Sequence, residues 1–143
     1  MNLFGVLQIS ASALKAERMR AEVVASNLAN VETTRTPDGG PYRRRAVVFR
    51  SANFDAELTA AGMREGASGV EVSGIATDAT APILRYEPSH PDANSQGYVA
   101  YPAINPVQEM VDLMGAARAY ELNASAVGAS KQMIQQSIDI LRA

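Results

Sequence analysis

Apolar residues recur every three or four positions near the start of the chain, which is the spacing of one face of an α-helix. The segment from Leu3 to Ala29 contains no proline, and the polar residues Ser10 and Glu17 interrupt its apolar face. Asn30, followed by β-branched residues, predicts the end of this helix. The predicted apolar face is formed by Leu3, Leu7, Leu14, Ala21, Val24, Leu28 and Val31.

A second and longer helix is predicted from Pro106 onwards. Asn105 is a favourable N-cap, Pro106 suits the first helical position, and Gln108 completes a pattern similar to a capping box. No further proline follows, and apolar or small residues alternate in steps of three and four, as in a coiled coil. A helix of about 37 residues would be about 55 Å long. Its predicted seam, in which only Lys131 is strongly polar, consists of Met110, Leu113, Ala117, Tyr120, Ala124, Val127, Lys131, Ile134, Ile138 and Leu141.

The segment between the two predicted helices has a different character. Six of the seven prolines lie between residues 32 and 103, and Pro37–Pro41 is a strong turn signal. Alternating or β-branched residues predict strands at Arg45–Phe49, Gly69–Ile75 and Ile83–Tyr86, with loops between and after them. This pattern predicts a small antiparallel sheet with long connections.

These elements predict an α+β fold in which the long terminal helices pair as a coiled coil beside a small, mostly β middle domain. We expect residues 1–31 and 104–143 to form the helical core and residues 32–103 the middle domain. A helix much longer than the ~30 Å diameter of a small domain cannot bury its whole seam against a loop-rich sheet. The two ends must therefore pair, and much of the remaining helical surface must contact other molecules.

The overall composition restricts the possible functions. The 143-residue chain has a formal net charge of −2 at pH 7, which disfavours nucleic-acid binding and electrostatic docking on an anionic membrane. It contains no cysteine, so disulfides and thiolate nucleophiles are excluded. No apolar run reaches the ~20 residues of a membrane-spanning helix, and residues 1–12 lack the features of a signal peptide. We expect synthesis in the cytoplasm, with no cleaved leader and no membrane insertion.

Candidate chemistry is sparse. His90 is the only histidine, and it lies in a predicted loop without an evident set of metal ligands around it. The chain has no Gly-x-Ser-x-Gly motif of a nucleophile elbow and no Gly-x-x-x-x-Gly-Lys phosphate loop. The basic run Arg43–Arg45 fits a solvated turn or a contact to an acidic neighbour better than nucleic-acid recognition. We therefore predict no catalytic, cofactor-binding or metal-binding residues.

Several short motifs along the chain are distinctive. The sequence Ala-Ser-Asn-Leu-Ala-Asn at Ala25–Asn30 is similar to the N-terminal signature shared by rod, hook and hook-junction proteins. The resemblance covers nearly the whole chain and is weakest from about Ala52 to Ala81, with a local departure at Ala81–Arg85. More specific similarity to the FlgC family of proximal-rod proteins lies in Thr33–Arg44, Tyr86–Ala93, Gly97–Pro102, Glu109–Met114 and Arg118–Asn123.

This resemblance implies a non-enzymatic structural subunit that polymerises into the torque-transmitting rod and export channel of the flagellum. Its terminal helices would line the inner tube, and the middle region would form an outer domain. It would leave the cytoplasm unprocessed through the flagellar type III export apparatus and reside in the rod, which crosses the periplasm. The partners implied are other copies of the chain, rod proteins of the FlgB, FlgF and FlgG types and the rod-base adaptor FliE, without cofactor or nucleic acid.

Two sets of residues are predicted to serve assembly. The segment Thr33–Arg45 is expected to reach a neighbouring subunit, because arginine can form bidentate contacts with carboxylates. Its candidates are Arg35, Tyr42, Arg43, Arg44 and Arg45. Helix packing, within or between subunits, is predicted for Leu7, Leu14, Ala21, Leu28, Leu113, Tyr120, Val127, Ile134, Ile138 and Leu141.

Two alternatives from other classes fit parts of the pattern. A soluble adaptor with a two-helix coiled-coil stalk would be a stable dimer with protected helices. A small hydrolase built on the middle segment would depend on His90. An assembly subunit, in contrast, would be monomeric in dilute solution, with protease-sensitive ends and a resistant middle.

Overall fold

The structure is a computed structural model, and it describes residues 3–53 and 68–142. The described residues form two helices and four β-strands, which agrees with the predicted α+β class. Neither described helix contains a segment long and apolar enough to cross a membrane. Residues 1–2, 54–67 and 143, which the predicted domains include, lie outside the described part. The elements are α1 (Leu3–Ala29), β1 (Arg45–Asn53), β2 (Ser68–Thr77), β3 (Ile83–Tyr86), β4 (Tyr98–Tyr101) and α2 (Pro106–Arg142).

Local capping explains the inner ends of both helices. α1 ends where the sequence predicts, and the Asn30 side chain donates a hydrogen bond of 2.9 Å to the carbonyl oxygen of Ser26. A carbonyl group of the last turn is thereby satisfied. At the start of α2, Asn105 Oδ1 accepts hydrogen bonds from the backbone N–H groups of Val107 at 3.0 Å and Gln108 at 3.4 Å. The predicted N-cap is therefore confirmed.

The two helices pack against each other in antiparallel directions. The end of α1 lies beside the start of α2, where Asn27 Nδ2 is 2.8 Å from Glu109 Oε2. About two turns earlier in α1, Arg20 Nη2 is 3.4 Å from Asp112 Oδ1 in the next turn of α2. The two helices therefore pack together within a single chain.

Three of the seam positions predicted for α2 were assigned one residue too late. Met110 and Lys131 are exposed, whereas the preceding residues Glu109 and Ser130 are buried. Ala116, rather than the residue after it, is also buried. A hydrophobic pattern selects Met110 as the buried residue of this turn. The close contact with α1 instead accommodates small side chains or, at Glu109, a hydrogen-bonded one. Lys131 does not interrupt the covered face, because it lies outside it.

The strands form two separate two-stranded antiparallel sheets, whereas the sequence predicts one small sheet. In the first sheet β1 pairs with β2, with Arg45 opposite Thr77 and a bulge just after Val48. In the second sheet β3 pairs with β4, with Ile83 opposite Tyr101. The two sheets share no strand, so the middle segment consists of two ribbons.

The strand boundaries were predicted with mixed success. The strand predicted at Ile83–Tyr86 has those bounds, whereas the strands predicted at Arg45–Phe49 and Gly69–Ile75 are longer in the structure. The sequence did not predict β4, although its residues alternate in burial, with Val99 and Tyr101 buried. β4 follows a strong turn signal and is only four residues long, so its pattern is too short to predict a strand.

The β1–β2 ribbon rests on α1. The Ser12 hydroxyl of α1 accepts a hydrogen bond of 3.1 Å from the backbone N–H of Val70 in β2 and donates one of 2.7 Å to the carbonyl oxygen of Ile9. Ala52 of β1 is buried, while Val48 is exposed. Since an isolated two-stranded ribbon is marginally stable in water, packing against the helix is what stabilises it.

Gly97 controls the turn between β3 and β4. Its φ of 80° lies in the left-handed region, and a Cβ atom there would lie 2.8 Å from Cε2 of Tyr86 and 3.2 Å from Cβ of Pro88. We expect Gly97→Ala to lower the free energy of unfolding by more than the ~1–2 kcal/mol of a left-handed residue, because Tyr86 must also move. Urea unfolding followed by tyrosine fluorescence measures this loss. Gly40→Ala is the matched control, since Gly40 has a φ of 75° and open space around it, and an equal loss in both variants would contradict the steric argument.

Candidate functional site

Polar side chains from three parts of the chain meet where α1 ends, β1 begins and α2 begins. They tie the helix pair to the first ribbon, and two of them, Asn27 and Glu109, are fully or almost fully buried. Buried polar groups are costly unless they are hydrogen-bonded, so a cluster of this kind fixes a specific geometry. We call this cluster the junction, and it consists of the side chains of Asn27, Tyr42, Arg44, Glu109 and Asp112 with the backbone of Arg45.

Asn27 binds the backbone of β1 in the way that a neighbouring strand would. Its Nδ2 donates to the carbonyl oxygen of Arg45 at 2.8 Å, and its Oδ1 accepts from the backbone N–H of Arg45 at 2.9 Å. The Tyr42 hydroxyl donates to the same Oδ1 at 3.1 Å, and Nδ2 also donates to Glu109. One amide side chain in α1 therefore holds the first residue of β1 and the first turn of α2.

Glu109 is a buried carboxylate, and each of its two oxygens accepts a hydrogen bond. Its side chain is 1% exposed, and its Oε1 accepts from Nε of Arg44 at 2.6 Å. The other oxygen accepts from Asn27. Arg44 also lies 3.5 Å from Asp112, which in turn pairs with Arg20 of α1. A buried charge is tolerated when it is paired and hydrogen-bonded, and here the pairs join both helices to the start of β1.

The run Arg43–Arg45 lies in an extended segment, in which successive side chains point to opposite sides. Arg44 points into the junction, while Arg43 and Arg45 are exposed. The Arg45 guanidinium lies 5.6 Å from the centre of the Tyr42 ring, and that tyrosine is buried. Arg35 has a side chain that is 80% exposed. Of the five predicted contact residues, Tyr42 and Arg44 are therefore engaged inside the chain. Arg35, Arg43 and Arg45 lie at the surface, where Arg35 forms an exposed ion pair with Asp92 at 3.5 Å.

His90 stabilises a turn in the loop between β3 and β4. Its Nδ1 accepts a hydrogen bond of 3.1 Å from the backbone N–H of Asp92, and its ring lies edge-on to Tyr101. The Tyr101 hydroxyl donates to the Glu87 carboxylate, which raises the pKa of that tyrosine above its ordinary value. Among the described residues, no three His, Asp or Glu side chains come together in an arrangement that could hold a metal ion.

The residues predicted for helix packing fall into two groups in the structure. Those of α1 (Leu7, Leu14, Ala21 and Leu28) are half-buried, and so are Leu113, Val127 and Ile134 of α2. Tyr120, Ile138 and Leu141 are exposed in the single chain. The second group has surface available for another molecule.

Helix α2 exposes an unusual amount of apolar surface. Contiguous exposed apolar patches on soluble proteins commonly mark interaction sites. The large exposed side chains of α2 fall into two groups, residues 107–122 and residues 133–141, on faces that α1 does not cover. They are Val107, Met110, Val111, Met114, Tyr120, Leu122, Met133, Ile138, Ile140 and Leu141.

Sequence reasoning gave neither Asn27 nor Glu109 a role in the site. The available signal for Asn27 was its position inside a helix, where asparagine is unfavourable unless its side chain has a specific partner. Glu109 gave no such signal, because an acidic residue in the first turn of a helix is ordinary. Only the fold brings Arg44 to it.

Comparison with protein families places this geometry in a known class. Residues 7–35 match the family model described as "Flagella basal body rod protein", and residues 95–140 match "Flagellar basal body rod FlgEFG protein C-terminal". These matches include most of α1, the turn after it, β4 and most of α2. A helix pair with a large exposed apolar surface and these two matches defines a flagellar basal-body rod protein.

Full-length relatives identify the family within this class. Each of the following relatives is named flagellar basal-body rod protein FlgC. The relative from Bacillus subtilis is 42% identical over 98% of this chain and 99% of its own length. That from Borreliella burgdorferi is 38% identical over 99% of both chains, and that from Salmonella typhimurium is 38% identical over 98% of both. The chain belongs to the FlgC family, as its motifs indicate.

Proposed function

We propose that this chain polymerises through its two terminal helices and so forms part of the torque-transmitting drive shaft and export channel of the flagellum. Membership in the FlgC family makes it a structural, non-enzymatic subunit of the proximal rod. It therefore resides in the basal-body rod and contacts other rod and basal-body components. The hydrolase and adaptor alternatives are set aside by the same membership.

The observation that carries the polymerisation proposal is the exposed apolar surface of α2. Met114 is 72% exposed and Leu141 is 87% exposed, although both lie on a helix with a regular apolar pattern. Among the described residues of α2, the buried ones are Glu109, Ala116 and Ser130. Removing such apolar surface from water is favourable, at roughly 25 cal/mol per Å². Neighbouring helices in a polymer would supply that burial.

We further propose that residues 1–31 and 104–143 form a coiled-coil inner domain and that residues 32–103 form an outer domain. The antiparallel packing of α1 and α2 supports the first part of this division, and the two ribbons between them support the second. The junction lies at the boundary between the two domains. Its buried hydrogen bonds would fix the angle at which the outer domain leaves the inner one.

The surface arginines and the export route complete the proposal. Arg35, Arg43 and Arg45 are exposed and would bind carboxylates on neighbouring subunits, whereas Tyr42 and Arg44 would act through the junction. The neighbours proposed are other copies of this chain, rod proteins of the FlgB, FlgF and FlgG types and the adaptor FliE. The family resemblance supports the proposal that the chain is exported through the flagellar type III apparatus.

Placing a charge on the exposed seam tests the polymerisation proposal. We expect Ile138→Asp to abolish swimming and rod completion, because a carboxylate would have to be buried between helices. Secretion of the subunit and its helical circular dichroism should stay unchanged, since Ile138 is 41% exposed in the single chain. Gln132→Asp introduces the same charge about 120° around the helix from Ile138, at an exposed position with no large exposed apolar side chain three or four residues away, and should swim normally. Normal swimming of the Ile138→Asp variant would contradict the proposal.

A further inference from the structure

Three arginine side chains surround one surface cavity beside the turn that follows α1. The cavity has a volume of about 550 Å³, and Arg35, Arg43 and Arg45 line it together with Asp38. Three guanidinium groups around one carboxylate give this surface an excess of positive charge, although the formal net charge of the chain is −2. Like charges at close range repel each other, so a carboxylate from another molecule would be attracted here. We call Arg35, Arg43 and Arg45 the arginine cluster.

Arg43 is the member of the arginine cluster whose charge is least engaged. Arg35 forms an ion pair with Asp92 at 3.5 Å, and the Arg45 guanidinium lies 5.6 Å from the centre of the Tyr42 ring. Within residues 3–53 and 68–142, the Arg43 side chain makes no hydrogen bond, ion pair or ring contact. Arg43 is therefore the arginine of the cluster that is available to another molecule.

The backbone is fixed on both sides of Arg43. The N–H of Tyr42 donates to the carbonyl oxygen of Thr33 at 3.0 Å. The carbonyl oxygen of Arg44 accepts from the N–H of Asp78 at 2.8 Å. A contact through Arg43 would therefore order little more than one side chain, which limits its entropy cost. Because the Arg44 side chain points into the junction, the Arg43 side chain points away from it.

An exposed carboxylate on α2 also lacks a partner. Glu121 is exposed, and the described residues provide it with no hydrogen bond or ion pair, although Arg118 lies three positions before it. Its other neighbours one turn away on the helix are the small residues Ala117, Ala124 and Ser125. A guanidinium group could therefore approach this carboxylate closely.

Glu121 lies at a cavity whose negative charge is incompletely balanced. The cavity lies between α1 and α2, has a volume of about 450 Å³, and is lined in part by Glu17, Arg18 and Glu121. Arg18 is bound to Glu22 at 2.9 Å. In the described part of the chain, Oε2 of Glu17 is buried without a hydrogen-bond partner, and Nη1 of Arg20 is 3.7 Å away. A cation from another molecule would offset this charge.

We propose that Arg43 of one copy of this chain binds Glu121 of a second copy. This inference rests on the proposed polymerisation and names one contact outside the helix seams. The two groups have opposite charges, and arginine can bind a carboxylate through two parallel hydrogen bonds. Within one chain they are too far apart. Glu121 stands 12 positions beyond Glu109, which is about 18 Å along α2, whereas Arg43 is adjacent to the arginine that binds Glu109.

Other carboxylates of the chain are less suitable partners for Arg43. Glu32 and Asp38 are exposed, but they lie in the same segment as the arginine cluster and already contribute to its local charge. Asp139 accepts a hydrogen bond of 2.9 Å from Gln135. Glu121 is therefore the exposed carboxylate that best fits a guanidinium group from a second copy.

Exchanging the two charges tests the contact. The variants replace the natural chain in the flagellated bacterium, and completed rods are counted by electron microscopy of isolated basal bodies. Arg43→Glu and Glu121→Arg should each lower the number of rods about tenfold, because like charges would face each other in the contact. The two substitutions in one chain should restore most of the rods. Purified single variants should keep the helical circular dichroism of the natural chain, since both positions are exposed.

Mixing the two single variants shows whether the contact joins different copies. In cells that make the Arg43→Glu chain and the Glu121→Arg chain from two genes, contacts between unlike copies are attractive at both positions. These cells should complete more rods than cells that make either variant alone. Restoration in the double variant without restoration in the mixture would place the contact within one chain and overturn the proposal.

Arg50 provides the matched control. Its side chain is 63% exposed and pairs with Glu71 at the surface, where an ion pair contributes little to stability. Arg50→Glu should leave the number of rods nearly unchanged, and it should not rescue Glu121→Arg. Rescue by Arg50→Glu would overturn the proposal, because any added negative charge would then suffice.

Neutral substitutions decide the proposal if a reversed charge prevents folding. Arg43→Gln and Glu121→Gln remove the same contact, so together they should lower the number of rods no more than the larger single effect. Independent, multiplied losses would overturn the proposal. A normal number of rods in Arg43→Glu, or no restoration in the double variant, would also overturn it, while the polymerisation proposal would still be decided by Ile138→Asp.

Discussion

We expect the Arg44→Met variant to lose about 3–5 kcal/mol of unfolding free energy, because it leaves a buried carboxylate without its cation. Glu109 is 1% exposed and accepts a hydrogen bond of 2.6 Å from Arg44. The structure shows two side-chain donors to the Glu109 carboxylate, Arg44 and Asn27. After the substitution, the Asn27 amide would be the one that remains. Methionine retains much of the aliphatic length, so lost packing contributes little to the effect. Urea denaturation followed by circular dichroism measures the loss.

The adjacent arginine provides the control for this prediction. Arg43 is exposed, so Arg43→Met should change the stability by no more than about 0.5 kcal/mol. Adding Glu109→Gln to Arg44→Met should recover a large part of the loss, because a neutral amide replaces the unpaired charge. Equal losses at positions 43 and 44, or no recovery in the double variant, would contradict the assigned ion pair.

Asn27→Ala is expected to lose about 3 kcal/mol, since several buried groups would lose their partner at once, each costing about 1–3 kcal/mol without strict additivity. The affected groups are the N–H and carbonyl of Arg45, the Tyr42 hydroxyl and one oxygen of Glu109. We also expect faster hydrogen exchange at the start of β1, because the strand is no longer held to α1. Exchange measured by mass spectrometry reports this local opening.

A second asparagine makes the comparison specific. Asn123 lies in α2 and donates to the carbonyl of Ala119 in its own helix at 2.8 Å. Asn123→Ala should therefore be nearly neutral, within about 0.5 kcal/mol, because alanine also has the higher helix propensity. Acceleration of exchange spread evenly over both ribbons in Asn27→Ala would show that Asn27 supports stability in general and does not specifically hold β1.

The long helices were predictable because their signals are local and repeated. Apolar residues at helical spacing fixed α1, and the cap at Asn105 with the proline after it fixed the start of α2. The β4 strand was missed because four residues after a turn contain too few repeats to show alternation. β1 was predicted too short because Arg50 and Ser51 are polar, although their side chains lie on exposed positions of a ribbon whose backbone pairing with β2 continues.

The local sequence pattern could not show which residues of α2 face α1, and it could not show which side chains form the junction. Periodicity chooses a helical face by hydrophobicity, so it favoured Met110 over its neighbour Glu109. The glutamate is buried because Arg44, which is 65 residues away in sequence, supplies the compensating charge. The alternation of Arg43, Arg44 and Arg45 was foreseeable from extended geometry, but the side on which the junction lies depends on the tertiary fold.

The junction lies at one end of a lever arm. Leu141 stands 32 positions beyond Glu109, which is about 48 Å along α2 at 1.5 Å per residue. A tilt of about 5° at the junction would displace the tip of the helix by about 4 Å over that length, which is enough to separate two side chains in contact. Small losses of stiffness around Asn27 and Glu109 would therefore be magnified at the far tip of the molecule, and rod architecture could fail there before the subunit itself unfolds.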